Sequence, residues 1–210
     1  MSDSLLDQLR LGVDAMGLSA SDFPLQAYVS YIELLAQWNK AYNLTAIREP
    51  EKMLAYHILD SLSILPFIHG NDCLDIGTGA GLPGIILALA KPDTHWVLLD
   101  GNKKKTRFVQ QAIITLNLKN VEVVCSRIEK YQPEHSFSTI VSRAFASLHA
   151  IYACSHHLLD PGGSLLAMKG PEPEDEISAL SAEDVSTTIT PLSVPGVTAG
   201  RTLVRIVPGS

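Results

Sequence analysis

The chain reads as an α/β protein, a mostly parallel seven-stranded sheet with one antiparallel edge, preceded by a helical cap. Three observations predict this. From Asn71 onward, short apolar runs rich in β-branched residues alternate with helical stretches, the pattern of βαβ units. A glycine-rich turn follows the first of these runs, at Gly77-Thr78-Gly79-Ala80-Gly81-Leu82-Pro83-Gly84. Two further β-like runs close the sequence, separated by Pro191, Pro195, Gly196 and Gly200.

In chain order, Leu5, Leu6, Leu9, Val13 and Met16 recur at helical spacing, as do Leu25, Tyr28, Ile32, Leu35 and Trp38 after Pro24. Both stretches predict amphipathic helices, with Trp38 and Tyr42 in the core of the cap. A third helix is expected from Pro50, a favourable first-turn residue, to about Leu65, where Pro66 stops it. The expected strands are 73–76, 96–100, 121–124, 139–142 and 164–168, with helices at 84–90, 103–117 and 147–158. The last two runs, 185–190 and 202–207, suit an antiparallel pair on the sheet edge. The division is a cap over 1–70 and a sheet domain over 71–210.

The 210 residues are 46% hydrophobic and 18% charged, which excludes disordered, collagen-like and disulfide-scaffold classes and leaves a packed globular chain. The apolar run 82–90 is about half a bilayer span, and Met1-Ser2-Asp3-Ser4 carries no basic signal region. Cys73, Cys125 and Cys154 form no CxxC pair, so reduced thiols in a cytoplasm are expected and a structural metal is not. The net charge of −6 argues at first against nucleic acid. Its distribution argues otherwise. Residues 1–70 hold 4 basic and 8 acidic groups, residues 71–150 hold 9 and 7, and residues 151–210 hold 3 and 7, so only the middle is net positive.

The glycine turn admits two ligand readings. Gly79-x-Gly81-x-x-Gly84 satisfies the dinucleotide fingerprint, while Asp75-x-Gly77-x-Gly79-x-Gly81 resembles the first motif of S-adenosylmethionine-dependent methyltransferases. A purely structural turn is a third. Asp100 ends the next apolar run at the distance where an acidic residue reaches ribose hydroxyls, which fits adenosine in either ligand. A long helical segment before the first strand favours the methyltransferase reading over a nicotinamide enzyme.

Further segments occur in order: Trp38-Asn39-Lys40-Ala41-Tyr42-Asn43-Leu44-Thr45-Ala46-Ile47, His57-Ile58-Leu59-Asp60-Ser61, Gly79-Ala80-Gly81-Leu82-Pro83-Gly84 and Ser142-Arg143-Ala144-Phe145-Ala146. Together they resemble the bacterial small-subunit rRNA guanine-N7 methyltransferases, also called the glucose-inhibited division protein B family. The resemblance runs from about residue 25 to the end, more loosely over 171–200. Ala80 stands where the family has proline. The resemblance implies a class I S-adenosylmethionine-dependent methyltransferase fold, Rossmann-like, and transfer of a methyl group to N7 of one guanine in the decoding-region loop of 16S rRNA. The partner would be that RNA, within the small subunit or its precursor, and the enzyme a cytoplasmic monomer without metal or membrane attachment. It places cofactor contacts on Gly77, Gly79, Leu82, Ile128, Glu129 and Arg143. Asp100 holds the ribose by the general methyltransferase pattern.

The residue types suit that chemistry. Guanine N7 bears a lone pair and no proton, so no general base or covalent nucleophile is required. Ser142-Arg143-Ala144-Phe145 stands where amino-group methyltransferases resemble Asn/Asp-Pro-Pro-aromatic, and no cysteine follows a proline as in enzymes that attack pyrimidine carbon. Arg143 is the expected catalytic residue, holding the cofactor or donating to guanine O6 while leaving N7 free. Phe145 is read either as a stacking surface for a flipped base or as a core aromatic. Lys103, Lys104, Lys105 and Arg107 open a helix, where positive charge is unfavourable, so the run is read either as contacts to an anion, with RNA phosphate the candidate, or as a solvated helix face. Lys169, after the fifth parallel strand, is a further RNA candidate. By its residue type His57 reads as a hydrogen-bonded packing residue; the resemblance implies instead that His57, Asp60 and Asn43 help form a wall over the cofactor or the RNA entry, without assigned roles. His156, His157 and the acidic run 172–176 are read as solvent-facing.

Overall fold

The computed structural model describes residues 2–144, 146–171, 174–180 and 183–209. Seven strands, β1 (Asp72–Ile76), β2 (His95–Leu99), β3 (Val121–Val124), β4 (Phe137–Arg143), β5 (Leu159–Lys169), β6 (Val185–Leu192) and β7 (Arg201–Pro208), form one sheet in the order β3-β2-β1-β4-β5-β7-β6. Neighbours from β3 to β5 are parallel, and β7 runs antiparallel to both β5 and β6. The expected antiparallel pair is therefore present, with its second member inside and β6 at the edge. The sheet is twofold in its chemistry. Cys73, Trp96, Leu98, Val141, Leu166 and Leu203 face one core and Leu74, Val97, Leu99, Ile140, Leu165 and Val204 the other, the period-two alternation of strands buried on both faces.

The first core is covered by the N-terminal helices. Helix α1 (Ser2–Ala15) buries Leu5, Leu9 and Val13, spaced four apart on one face, and α2 (Leu25–Tyr42) buries Tyr28, Val29, Tyr31, Ile32 and Leu35. These side chains share one cluster with Ile85, Ile86, Trp96 and Phe108. The Tyr28 hydroxyl donates to Ile86 O at 3.3 Å and the Tyr31 hydroxyl to Ala80 O at 2.7 Å. The boundary expected at 70/71 is thus a change of secondary structure, and the apolar core runs across it. Trp38 packs against this cluster, but Tyr42, expected inside, is 39% exposed and stacks on Trp38 at 5.2 Å, because the helix ends there.

The third helical stretch differs from expectation. It begins at Pro50 as α3 (Pro50–Met53), continues as a π-helical turn over Leu54–Leu59, resumes as α4 (Asp60–Leu62) and is followed by a short 3₁₀ turn, Leu65–Phe67. The Asp60 N–H donates to Ala55 O, five residues back, which is the wider π repeat. Beyond β1, α5 (Gly84–Ala90) and α6 (Lys103–Leu116) follow close to the expected limits. Helix α7 (Leu148–Ser155) covers the second core and gives way to a 3₁₀ turn at His156–Leu158. A short helix that sequence reasoning missed, α8 (Glu174–Ser178), occupies the acidic run.

Candidate functional site

In an open parallel sheet, ligands collect at the carboxyl ends of the strands where the order reverses, here between β1 and β4. The glycine loop leaves β1 at that point with Gly77, Gly79 and Gly81 all at positive φ, a conformation open to them because they carry no Cβ. Asp75 holds the loop. Its Oδ2 accepts from Thr78 Oγ1 at 2.6 Å and from the Gly84 N–H at 2.9 Å. A Cβ on Gly84 would collide with Leu98 and Asp75, so only glycine lets helix α5 start this close to the sheet. Burial pushes the Asp75 carboxyl up to about 6, and the hydrogen bonds from Thr78 and Gly84 pull only partly the other way.

Asp100 ends β2 facing the loop. It accepts from the Gly79 N–H at 3.0 Å and the Asn102 N–H at 2.8 Å, which leaves lone pairs free for a ligand. These groups surround a cavity of about 420 Å³ bounded by Gly77, Asp100, Lys105, Ile128, Glu129 and Ala144, within the usual range for small-molecule sites. Ile128 and Glu129 lie on a 3₁₀ turn after β3, Ile128 buried as an aliphatic wall and Glu129 exposed beside it. Gly79 and Leu82 line a neighbouring cavity of about 190 Å³ with Thr45, His57 and Arg143. A third, of about 390 Å³, is lined by Tyr56, His57, Asp60, Arg143, Lys169 and Arg201 among others. Ala144 borders all three and adopts a left-handed φ of 51°, a costly conformation for a residue with a Cβ.

Arg143 stands at the junction. Its Nη1 donates to Tyr56 O and to Asp60 Oδ2, both at 3.0 Å. Asp60 is buried, and its other oxygen accepts from Arg201 Nε at 3.0 Å, so one carboxylate aligns two guanidinium groups. Sequence reasoning missed Arg201 and Tyr56, which lie far from Arg143 in the chain and carry no local motif. His57 Nε2 is hydrogen-bonded to Thr45 Oγ1 at 3.0 Å. Burial and then the Arg143 charge lower its pKa to about 4, so it is a neutral wall. Asn43 ends α2 in a left-handed conformation, and Asn39 clamps the following turn through Thr45.

The basic run divides. Lys103, Lys104 and Arg107 are exposed on α6, whereas Lys105 turns into the first cavity with its Nζ 3.9 Å from Asp100. The anion expected near this helix start is, for Lys105, that carboxylate. Lys169 is also committed internally: its Nζ donates to Glu176 Oε2 and to Ala146 O, both at 2.7 Å. The acidic run is correspondingly more than a solvated face. Glu176 Oε2 also accepts from the Leu148 N–H at the start of α7, and although burial raises its pKa, those bonds outweigh it and hold the carboxyl below the usual range. Phe145 lies outside the described residues. At the opposite ends of the strands, Asp72, His95 and His135 bring their ligand atoms within 4.8 Å of one another, a grouping the sequence did not suggest.

The family model described as GidB, rRNA small subunit methyltransferase G, matches residues 25–204. The chain belongs to this methyltransferase G family. Two relatives named Ribosomal RNA small subunit methyltransferase G bear out its reach over nearly the whole chain. The one from Laribacter hongkongensis is 45% identical over 203 residues, covering 97% of this chain and 98% of the relative. That from Psychromonas ingrahamii is 46% identical over 203 residues, with the same coverage. Among solved structures, a putative O-methyltransferase from Klebsiella pneumoniae aligns over 86% of this chain and 90% of its own with a TM-score of 0.62 at 14% identity. That likeness speaks to the fold alone: the seven-stranded class I S-adenosylmethionine-dependent methyltransferase architecture. The methyltransferase G chain described here has no helix, among the described residues, long and apolar enough to cross a membrane.

Proposed function

We propose that this methyltransferase G chain transfers the methyl group of S-adenosylmethionine to N7 of a guanine in 16S rRNA. The observation that carries the reading is the convergence of three adjoining cavities on Ala144 and, for the two that meet at His57, on Arg143. The first suits adenosine: Asp100 and Glu129 for ribose hydroxyls, Ile128 against the adenine ring, and Gly77 where the backbone comes close. The second, under Gly79 and Leu82, suits the methionine portion. When bound, the cofactor supplies a methyl group already activated on a sulfonium.

The chain then has to align, desolvate and orient. Positioning two reactants for in-line displacement is worth several kcal/mol of barrier, up to about 7–11 in ideal intramolecular cases. Arg143, anchored through Nη1, has Nε and Nη2 without a partner among the described residues and directs them toward ligand or guanine O6. Because N7 carries no proton, the neutrality of His57 costs the reaction nothing. Lys103, Lys104 and Arg107 contact phosphate outside the cavity. The RNA is presented within the small subunit or its precursor to a single copy of the enzyme in the cytoplasm.

The test incubates the protein and methyl-labelled S-adenosylmethionine with small subunits from cells lacking this modification. Label in 16S rRNA as 7-methylguanine is expected, and Arg143→Ala and Asp100→Ala should remove it without unfolding the protein. Label entering protein or a small molecule instead of 16S rRNA would overturn the reading.

A further inference from the structure

We propose that the third cavity, between the π-helical turn and the start of β7, receives the target nucleotide turned out of the RNA, with Tyr56 as the face on which its base stacks and Arg201 as the clamp on its phosphate. The proposal rests on the reading of rRNA as substrate and adds where and by which groups the nucleotide is held.

Chemistry on a base requires the base to leave its stack, and the pocket that takes it must supply a new stacking partner. Tyr56 is half-buried on the cavity wall, and its hydroxyl has no partner among the described residues. Tyr28 and Tyr31, which pack in the core, both spend their hydroxyls on backbone carbonyls. Tyr56 thus presents an aromatic face and a free polar edge to a space of about 390 Å³. The π-helical turn explains its position, since the extra residue in the turn frees the Tyr56 carbonyl for Arg143 and sets the ring over the cavity.

Arg201 is the first residue of β7, one before Thr202, which pairs with Lys169 at the carboxyl end of β5. Its Nε is fixed by Asp60, its Nη1 donates to Gly200 O at 3.2 Å, and its Nη2 is without a partner among the described residues. Its Cζ lies over the Tyr56 ring, 5.8 Å from the centroid, so the guanidinium takes one face of the ring and the stacked base takes the other. The charges complete the case. Arg143 and Arg201 against Asp60 leave one positive charge, since Lys169 is neutralised by Glu176. One phosphodiester carries one negative charge, and a guanidinium oriented by a buried carboxylate is built to take it. Asp60 is a positioning residue here: it holds both guanidinium groups and touches no substrate. Arg143 borders both this cavity and the one beneath the glycine loop, which places N7 toward the methyl group and the sugar-phosphate toward Arg201.

The test compares Tyr56→Ala, Tyr56→Leu, Tyr56→Phe and Arg201→Ala in the full chain. It reads cofactor affinity by calorimetry, and kcat and KM on unmodified small subunits at several salt concentrations. Tyr56→Ala and Tyr56→Leu should lose roughly five- to 150-fold in kcat/KM, the range that removal of a base stack gives, while Tyr56→Phe, which keeps the ring and loses only the polar edge, falls less than Tyr56→Leu, with cofactor affinity unchanged in all three. Arg201→Ala should raise KM and reduce the logarithmic salt slope by about one. Equal activity of Tyr56→Leu and Tyr56→Phe, or an unchanged salt slope in Arg201→Ala, would overturn the proposal while wild-type labelling of rRNA stands. Failure of the wild type itself to label rRNA would overturn the parent reading, and this one with it.

Discussion

Asp75→Asn and Asp75→Ala should part company in stability and in cofactor binding, because the carboxylate both suffers from its burial and holds the glycine loop. Its pKa rises from an ordinary 3.8 to about 6, so keeping it ionised in the folded protein costs about 3 kcal/mol near pH 8. The folded state binds the proton more tightly than the unfolded one. That cost is absent below about pH 4, grows as pH rises through the window to about 6, and is constant above it. His57 runs the other way: its pKa falls from 6.5 to about 4, so stability is lost on acidification through the same window. The two slopes oppose each other in the wild type, and Asp75→Asn should unmask the His57 slope. Asparagine keeps an acceptor for Thr78 and Gly84 but brings an amide into the place of Oδ1, which has no partner, at about 1–3 kcal/mol. Net, Asp75→Asn should be between neutral and about 2 kcal/mol more stable than wild type near pH 8. Its difference from wild type should then shift by about 3 kcal/mol against the variant between pH 8 and pH 4. Asp75→Ala strands both donors at about 1–3 kcal/mol each but is spared the unpartnered amide, so it should lie below Asp75→Asn by about 2 kcal/mol, with weaker cofactor binding. Urea titrations at several pH values and calorimetry with S-adenosylmethionine measure all of this. A difference between Asp75→Asn and wild type that does not change with pH would refute the reasoning.

Three other outcomes are expected. Replacing Lys103, Lys104 and Arg107 together by Ala should lower the logarithmic salt slope of RNA binding by as much as about three while leaving cofactor affinity unchanged, whereas Lys105→Ala should weaken the cofactor, as filter binding and calorimetry will show. Gly84→Ala forces a Cβ against Leu98 and Asp75 and should cost about 1–3 kcal/mol in thermal unfolding together with cofactor affinity. Glu176→Ala leaves the Leu148 N–H without its acceptor and Lys169 with Ala146 O alone, and should cost about 1–3 kcal/mol, with the chemical step unchanged in single-turnover kinetics.

Much of the fold was legible because its signals are local. The short apolar run from Cys73 to Ile76, the β-branched run Val121–Val124 and the helical spacing of Leu5, Leu9 and Val13 each mark a segment that must be buried. The antiparallel edge was legible from two β-like runs broken by proline and glycine. The π-helical turn was not, since one extra residue in a helix leaves the apolar spacing nearly intact. Helix α8 escaped for the opposite reason: its acidic residues look solvated until Lys169 and the start of α7 are brought beside Glu176.

The sequence by itself determined the order of strands and helices, the glycine turn after β1, the acidic residue at the end of β2 and the arginine at the end of β4. Each of these depends on neighbours a few residues away. Only the tertiary structure decided what they do together. Asp60 meets Arg143 across 83 residues and Arg201 across 141, and Lys105 parts from Lys103 and Lys104 because successive helical residues point about 100° apart. Contacts between distant segments follow no period in the chain, so a site assembled from them becomes visible only when the sheet has brought its strand ends to one edge.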